Sequence, residues 1–326
     1  MRAVLLKDFK SSTLAVEEIP TPQPASKQVL IKMAAAPVNP SDLVFLRDQY
    51  GIKKKLPVVP GFEGSGTVIA AGRGFYAKWL IGKRVACHAP EDGNGTWAEY
   101  MVAGAANCVP LIKEVTFDQG ASLVVNPFTA WALLGMAGDQ RNTGFVQTAA
   151  ASALGQMIGR LAQRRGMTAI HIVRRREHVE LLKKAGAVYV LDSSEQGFVE
   201  QLHVLCAKQE IRLAFDAVGG PLTGQVAMAM PKGSRVIVYG ALGGENCQMS
   251  PSSLIFEDKK LEGFWLTEWI KSQSFLKKMR MAFGVQKLLS RELATRVQGK
   301  FSLEQVQEAM ALYKQKRTEG KVLLVP

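Results

Sequence analysis

The sequence is poor in the residues that hold metals and cross-links. Only four cysteines and four histidines stand among 326 residues. Cys87, Cys108, Cys206 and Cys247 are scattered without Cys-x-x-Cys spacing, which argues against a disulfide framework and a structural zinc site. The histidines supply no substitute. His171 falls in a predicted strand, His178 and His203 on predicted helices, and His88 near a turn. Cys87-His88 is the one suggestive pair. No apolar run approaches the roughly 20 residues of a membrane helix. The N-terminus, MRAVLLKDFKSSTLAVEEI, alternates like a first strand and hairpin, so a cytoplasmic protein with no membrane partner is expected. Aromatics make up 8% and interleave little with the cations. The net charge of +13 is dispersed along the chain, which favours a solvated basic surface over a nucleic-acid track.

What is present is a change of rhythm. Up to about residue 120, short strands at 28–34, 66–71, 84–88 and 97–102 are punctuated by Pro and Gly. That is the pattern of a β-rich, partly open barrel. From about Ala121, strands at 145–149, 169–173, 187–191, 213–218, 235–240 and 261–266 alternate with helices at 154–165, 177–185, 196–208 and 221–230. Such alternation demands a parallel sheet with right-handed crossovers. Two more amphipathic helices, 274–289 and 302–316, precede a closing strand at 321–325. The expected fold class is α/β, a doubly wound Rossmann sheet inserted into a β-rich domain. The sheet domain is placed at 123–266, and the β-rich domain at 1–122 and 267–326.

Within 144–177 the order is strand, small-residue turn, amphipathic helix, second strand, then three arginines. Leu154, Met157, Ile158, Leu161 and Ala162 form one apolar stripe, which leaves the helix N-terminus free to receive a pyrophosphate. The glycine fingerprint is incomplete: Ala150 and Ser152 take the first two glycine positions, and Gly155 alone survives at the third. Arg174, Arg175 and Arg176 stand where an NAD enzyme usually carries a carboxylate for the ribose hydroxyls. A guanidinium fork matches a 2′-phosphate, so NADPH is the expected cofactor. Which of the three binds it is open, and at least one begins the next helix.

The segments Val38-Asn39-Pro40-Ser41-Asp42, Gln49-Tyr50-Gly51 and Pro60-Gly61-Phe62-Glu63-Gly64, with the turn above, resemble the medium-chain dehydrogenase/reductase superfamily over essentially the whole chain. The resemblance implies a GroES-like catalytic domain around the Rossmann domain. Zinc-dependent members carry a Cys within the segment matching 38–42 and a Gly-His-Glu where this chain has Gly61-Phe62-Glu63, so no metal is expected. Within the superfamily, NPSDLVFLRDQYG at 39–51, NPFTAW at 126–131 with SALGQ at 152–156, and LIFEDKKLEGFWLTEW at 254–269 look like the NADPH-dependent 2-enoyl thioester reductases. Quinone reductases come next. Carried over, Tyr50 and Asn39 are the catalytic candidates. Thr129, Ser152, Leu154, Gly155, Arg174, Arg176, Gly240, Ala241, Phe264, Trp265, Leu266 and Lys321 are the cofactor-binding candidates.

That inventory suits reduction of an activated C=C bond, in which hydride reaches Cβ, charge builds on the thioester oxygen, and Cα takes a proton. A phenol stays protonated near neutral pH and can donate to an enolate. Tyr50 serves as that donor, orients the substrate, or packs structurally; Asn39 is also a good turn and helix cap. The acceptor is a small molecule: a 2-enoyl thioester, an enone or a quinone. The alternatives are an NADPH:quinone oxidoreductase and a non-catalytic NADPH-binding protein. Ile52-Lys53-Lys54-Lys55 reads as a solvated cationic loop or as a site for the phosphates of a coenzyme A or carrier-protein substrate. A last strand at 261–266 would leave an edge open to a second subunit, so a homodimer is expected.

Overall fold

Gly144–Gln147 and Leu213–Asp216 are buried at every position, whereas Tyr189–Asp192 is half-buried and Lys260–Gly263 largely exposed. That gradient is what a parallel sheet covered on both faces produces, with apolar strands central and mixed strands at the edges. The computed structural model describes residues 1–9, 13–138, 144–316 and 318–326. It places these strands in one six-stranded parallel sheet. From edge to edge the strands are Tyr189–Asp192, Thr168–Val173, Gly144–Gln147, Leu213–Asp216, Arg235–Val238 and Lys260–Gly263. In chain order that is third, second, first, fourth, fifth, sixth, the doubly wound order expected from the alternation. Helices Ala153–Arg164, Arg176–Lys184, Phe198–Lys208 and Pro221–Ala229 make the crossovers. Val146, Ile170, Leu202, Ala214, Val226 and Val236 share one core cluster.

The predicted strand at 261–266 ends sooner than expected, at Gly263. Phe264 adds one further bond, its N–H donating to the Val238 carbonyl at 2.8 Å. The chain then turns into helix Leu266–Ser272, whose first backbone bond runs from the Trp269 N–H to the Trp265 carbonyl. This sheet and its helices form a compact unit, residues 128–278. The breaks thus fall at 127/128 and 278/279, where the change of rhythm had placed them at 122/123 and 266/267.

The second unit comprises 1–127 and 279–326. Its largest sheet runs Val297–Phe301, Lys321–Leu324, Gln28–Pro37, Glu63–Ala71, Arg84–His88 and Cys108–Pro110, with Tyr100–Gly104 paired to Gln28–Pro37. Arg2–Leu6 and Leu14–Glu18 form the expected antiparallel hairpin; residues 10–12 of its turn lie outside the described residues. The predicted strand at 97–102 begins late, at Tyr100, because the Trp97 backbone is bonded elsewhere, its N–H donating to the Pro60 carbonyl at 3.1 Å and its carbonyl accepting the Val4 N–H at 2.9 Å. The closing strand meets Gln28–Pro37 antiparallel, pairing Leu323 with Pro37. That contact carries the end of the chain to the loop that contains Asn39.

Candidate active site

In the sheet unit the strand order reverses between the first and fourth strands, the place where sheets of this kind receive a ligand. The turn after the first strand is built from small residues. Ala149 adopts a left-handed conformation (φ 48°), a position where glycine carries no Cβ penalty. Ser152 caps helix Ala153–Arg164, its hydroxyl accepting the Gly155 N–H at 3.1 Å. The N–H groups of Ala153 and Leu154 have no helical acceptor, as in any first turn, and give the helix end its anion preference. Gly155 is needed for contact: a Cβ there would lie 2.6 Å from the Ala149 carbonyl oxygen and 2.7 Å from the Ala150 Cα. The one glycine retained at this turn is therefore the one that lets helix and turn close. Beneath it, Gln147 donates to the Gly155 carbonyl at 3.0 Å and to His171 Nδ1 at 2.7 Å; burial lowers the His171 pKa to about 4.

The fourth strand ends in Asp216, which is fully buried. Its carboxylate accepts the Thr148 and Thr223 hydroxyls, both at 2.6 Å, and the Val218 N–H at 2.8 Å. Thr148 in turn accepts the Ala217 N–H at 2.9 Å. The two central strand ends are thereby locked together. Gly240 and Ala241 follow the fifth strand, and Gly240 passes so near its neighbour that a Cβ would stand 2.8 Å from the Ala217 carbonyl oxygen. Phe264 and Leu266 are half-buried and Trp265 exposed beyond the sixth strand. Thr129 is buried in helix Asn126–Gly138. Arg174 and Arg176 are exposed after the second strand and make no ion pair among the described residues, while Arg175 meets Glu177 at 3.3 Å. Arg175 is also the residue at the N-cap of the next helix, Arg176–Lys184.

In the β-rich unit, four polar side chains are buried together. Asn39 stands at the N-cap of helix Pro40–Phe45, its N–H donating to Asp42 at 2.7 Å. The Asn39 amide donates to Glu63 at 2.9 Å and accepts from the Lys321 ammonium. Lys321 lies 3.9 Å from the Glu63 carboxylate, whose other oxygen accepts the Val124 and Val125 N–H groups at 3.0 and 2.8 Å. Asp42 also accepts the Phe62 N–H at 3.1 Å. Burial pushes Asp42 up to about 7 and raises Glu63, against the pull of these donors; burial likewise lowers Lys321. Asn39, a catalytic candidate, and Lys321, expected at the cofactor, are bonded to each other, and both lie against Glu63. This network joins positions 282 residues apart, and no local signal could have revealed it. Tyr50 is half-buried, its ring centroid 4.8 Å from that of Phe62.

Comparison with known proteins settles the family. Residues 25–113 match the alcohol dehydrogenase GroES-like domain, and residues 153–282 match the family described as zinc-binding dehydrogenase. The chain belongs to the medium-chain dehydrogenase/reductase family. It is 33% identical over 256 residues to the mitochondrial enoyl-[acyl-carrier-protein] reductase of Rattus norvegicus, a match covering 76% of this chain and 66% of the rat protein. A Mesorhizobium loti protein assigned as an NADPH:quinone reductase superposes with a TM-score of 0.92 at 36% identity, over 100% of this chain and 98% of that one. A mycobacterial protein solved with NADPH superposes with a TM-score of 0.85 at 25% identity, covering 100% of both chains. The proteins it matches are oxidoreductases of the medium-chain class, and the chain spans 66% of the rat enzyme's length.

Proposed function

We propose that this chain is an NADPH-dependent reductase of activated C=C bonds, acting on 2-enoyl thioesters or enones without zinc. The observation that carries the cofactor half is the pair of exposed arginines, Arg174 and Arg176, at the carboxyl end of the second strand. Guanidinium groups there favour the 2′-phosphate, and Glu177 is engaged with Arg175. Ser152, Leu154 and Gly155 would hold the pyrophosphate at the helix end. NADPH supplies hydride when bound. Tyr50 holds the proton, its phenol donating toward the oxygen or Cα on which charge develops. Asn39 supports that segment through Glu63 and Lys321. The names of the enoyl reductase relatives support the thioester as acceptor.

The donor set does not fit Zn²⁺. Phe62 stands where zinc-dependent members have histidine, and no cysteine occurs in 38–42. The Cys87 thiol donates to the Gly64 carbonyl at 3.4 Å, and burial holds its pKa well above the ordinary value. A second copy pairing along the edge strand Lys260–Gly263 would cover Leu261 and Trp265, both more than a third exposed.

The test is NADPH oxidation with crotonyl-CoA, an enone and a quinone, in the unaltered chain and in Tyr50→Phe. A loss of about tenfold or more on crotonyl-CoA but not on quinone is expected, the low end for a lost general acid. Equal rates in Tyr50→Phe on every acceptor would remove the tyrosine from the reaction, and turnover with the quinone alone would favour a quinone oxidoreductase. Arg174→Glu should weaken NADPH about tenfold while sparing NADH. NADH used as well as NADPH by the unaltered chain would overturn the cofactor assignment.

A further inference from the structure

Lys54 is the middle residue of the cationic run, yet it does not behave as a loop lysine. Lys53 and Lys55 are exposed, whereas Lys54 is only 8% exposed. Its ammonium donates to the Gly93 carbonyl at 2.7 Å and stands 5.7 Å from the Phe62 ring centroid and 6.0 Å from that of Phe45. Phe62 packs edge-on against Phe45 at 5.6 Å, and Tyr50 lies on Phe62 at 4.8 Å. The turn that receives Lys54 is itself pinned: the Asn94 side chain accepts the Val59 N–H, and the Gly95 N–H donates to Val59. Gly93 is the only hydrogen-bond partner of this ammonium among the described residues.

Burying an ammonium with one hydrogen bond is costly, and an unbranched apolar side chain would fill the same space at lower cost. What the charge adds is attraction to the ring faces, which a methylene chain lacks. We propose that Lys54 is a positioning residue for Tyr50: its ammonium, tied to Gly93, fixes the Phe62 ring against which the tyrosine lies. This rests on the reading of Tyr50 as the proton-bearing group of the reductase. The charged form is opposed by burial, which brings Lys54 down to about 8, and favoured by Asp42 on helix Pro40–Phe45 and Asp92 in the neighbouring turn. His88, at the end of strand Arg84–His88, stacks on Phe62 at 6.5 Å; burial chiefly, and Lys54 in part, hold its pKa below the ordinary value. The clamp is therefore present at neutral pH and released as pH rises past about 8.

The test uses the full chain with 4-fluorophenylalanine at position 62, alone and combined with Lys54→Met or Lys54→Arg. Fluorine NMR on the NADPH-free protein reads the clamp independently of turnover. A resonance that titrates with a midpoint near 8 in the parent and lies flat near that pH in both variants is expected. Asp42 and His88 remain in the variants, so any titration of theirs is separated. With crotonyl-CoA, Lys54→Met should lose about tenfold in kcat with little change in KM, as expected of a misplaced catalytic group. Lys54→Arg should hold its rate to about pH 9, below the ordinary phenol range, where the parent has already fallen. A fluorine titration near 8 that survives in Lys54→Met, or parental kcat in that variant, would overturn the proposal. Absence of turnover in the parent on every acceptor would overturn the reductase reading and the catalytic role with it. The fluorine titration would then still decide whether the clamp exists.

Discussion

Each unit buries a carboxylate at the end of a strand, and the two are satisfied differently. Asp216 in the sheet unit accepts two hydroxyls and backbone N–H groups, so every donor bonded to its carboxylate is neutral. Glu63 in the β-rich unit shares its surroundings with Lys321, Asn39 and Asp42, so three ionisable groups are enclosed together. Neutral donors hold geometry over a wide pH range because nothing in them titrates. A buried charged set holds geometry only while its protonation states agree, and it pays desolvation on every member. The sheet unit uses the first device where its two central strand ends meet. The β-rich unit uses the second beside Tyr50.

The comparison breaks most visibly at Lys321. Lys321→Met leaves Glu63 buried without its cation and should cost about 3–5 kcal/mol, read by urea unfolding followed through probes in the β-rich unit. A loss under about 1 kcal/mol would mean that the amide and backbone donors suffice. Next comes pH. Asp42 is raised from 3.8 to about 7, so between these values the folded chain keeps a proton that the unfolded chain has released. Stability is therefore greatest below about 4 for this group and falls as pH climbs through about 7, with Glu63 acting in the same direction. Unfolding midpoints from pH 4 to 8 should decline less in Asp42→Asn than in the parent, and parallel curves would refute the assignment.

Thr148→Val tests the neutral network. It removes a hydroxyl donor from Asp216 and the acceptor of the Ala217 N–H, for a loss of about 1–3 kcal/mol read by urea unfolding. The smallest effect is expected at Ala149, where glycine relieves the left-handed strain but loosens the unfolded chain. Ala149→Gly should gain roughly 0.5 kcal/mol, and a clear loss would show that the methyl packs more than it strains.

Much of the sheet unit was legible because its information is local. Strand–helix alternation, the stripe from Leu154 to Ala162 and the arginines after the second strand all lie within single stretches of chain. Gly155 belongs to the same class, and its role in contact emerged where the fingerprint placed it. The left-handed turn at Ala149 was hidden, since nothing in Thr-Ala-Ala-Ala marks one alanine from another. The β-rich unit was less legible. Tyr50 was named through its neighbours in sequence, but Glu63 was read only beside the missing histidine, and Lys54 only as one of three lysines.

The sequence by itself determined the succession of elements and the family, since periodicity and motif spacing act over a few turns of chain. Only the tertiary structure decided which polar groups are buried together. Lys321 meets Asn39 because the closing strand pairs with Gln28–Pro37, and Lys54 meets Phe62 because a loop folds over a turn some 40 residues away. Burial converts such meetings into perturbed protonation and fixed geometry, and burial is a property of the packed chain.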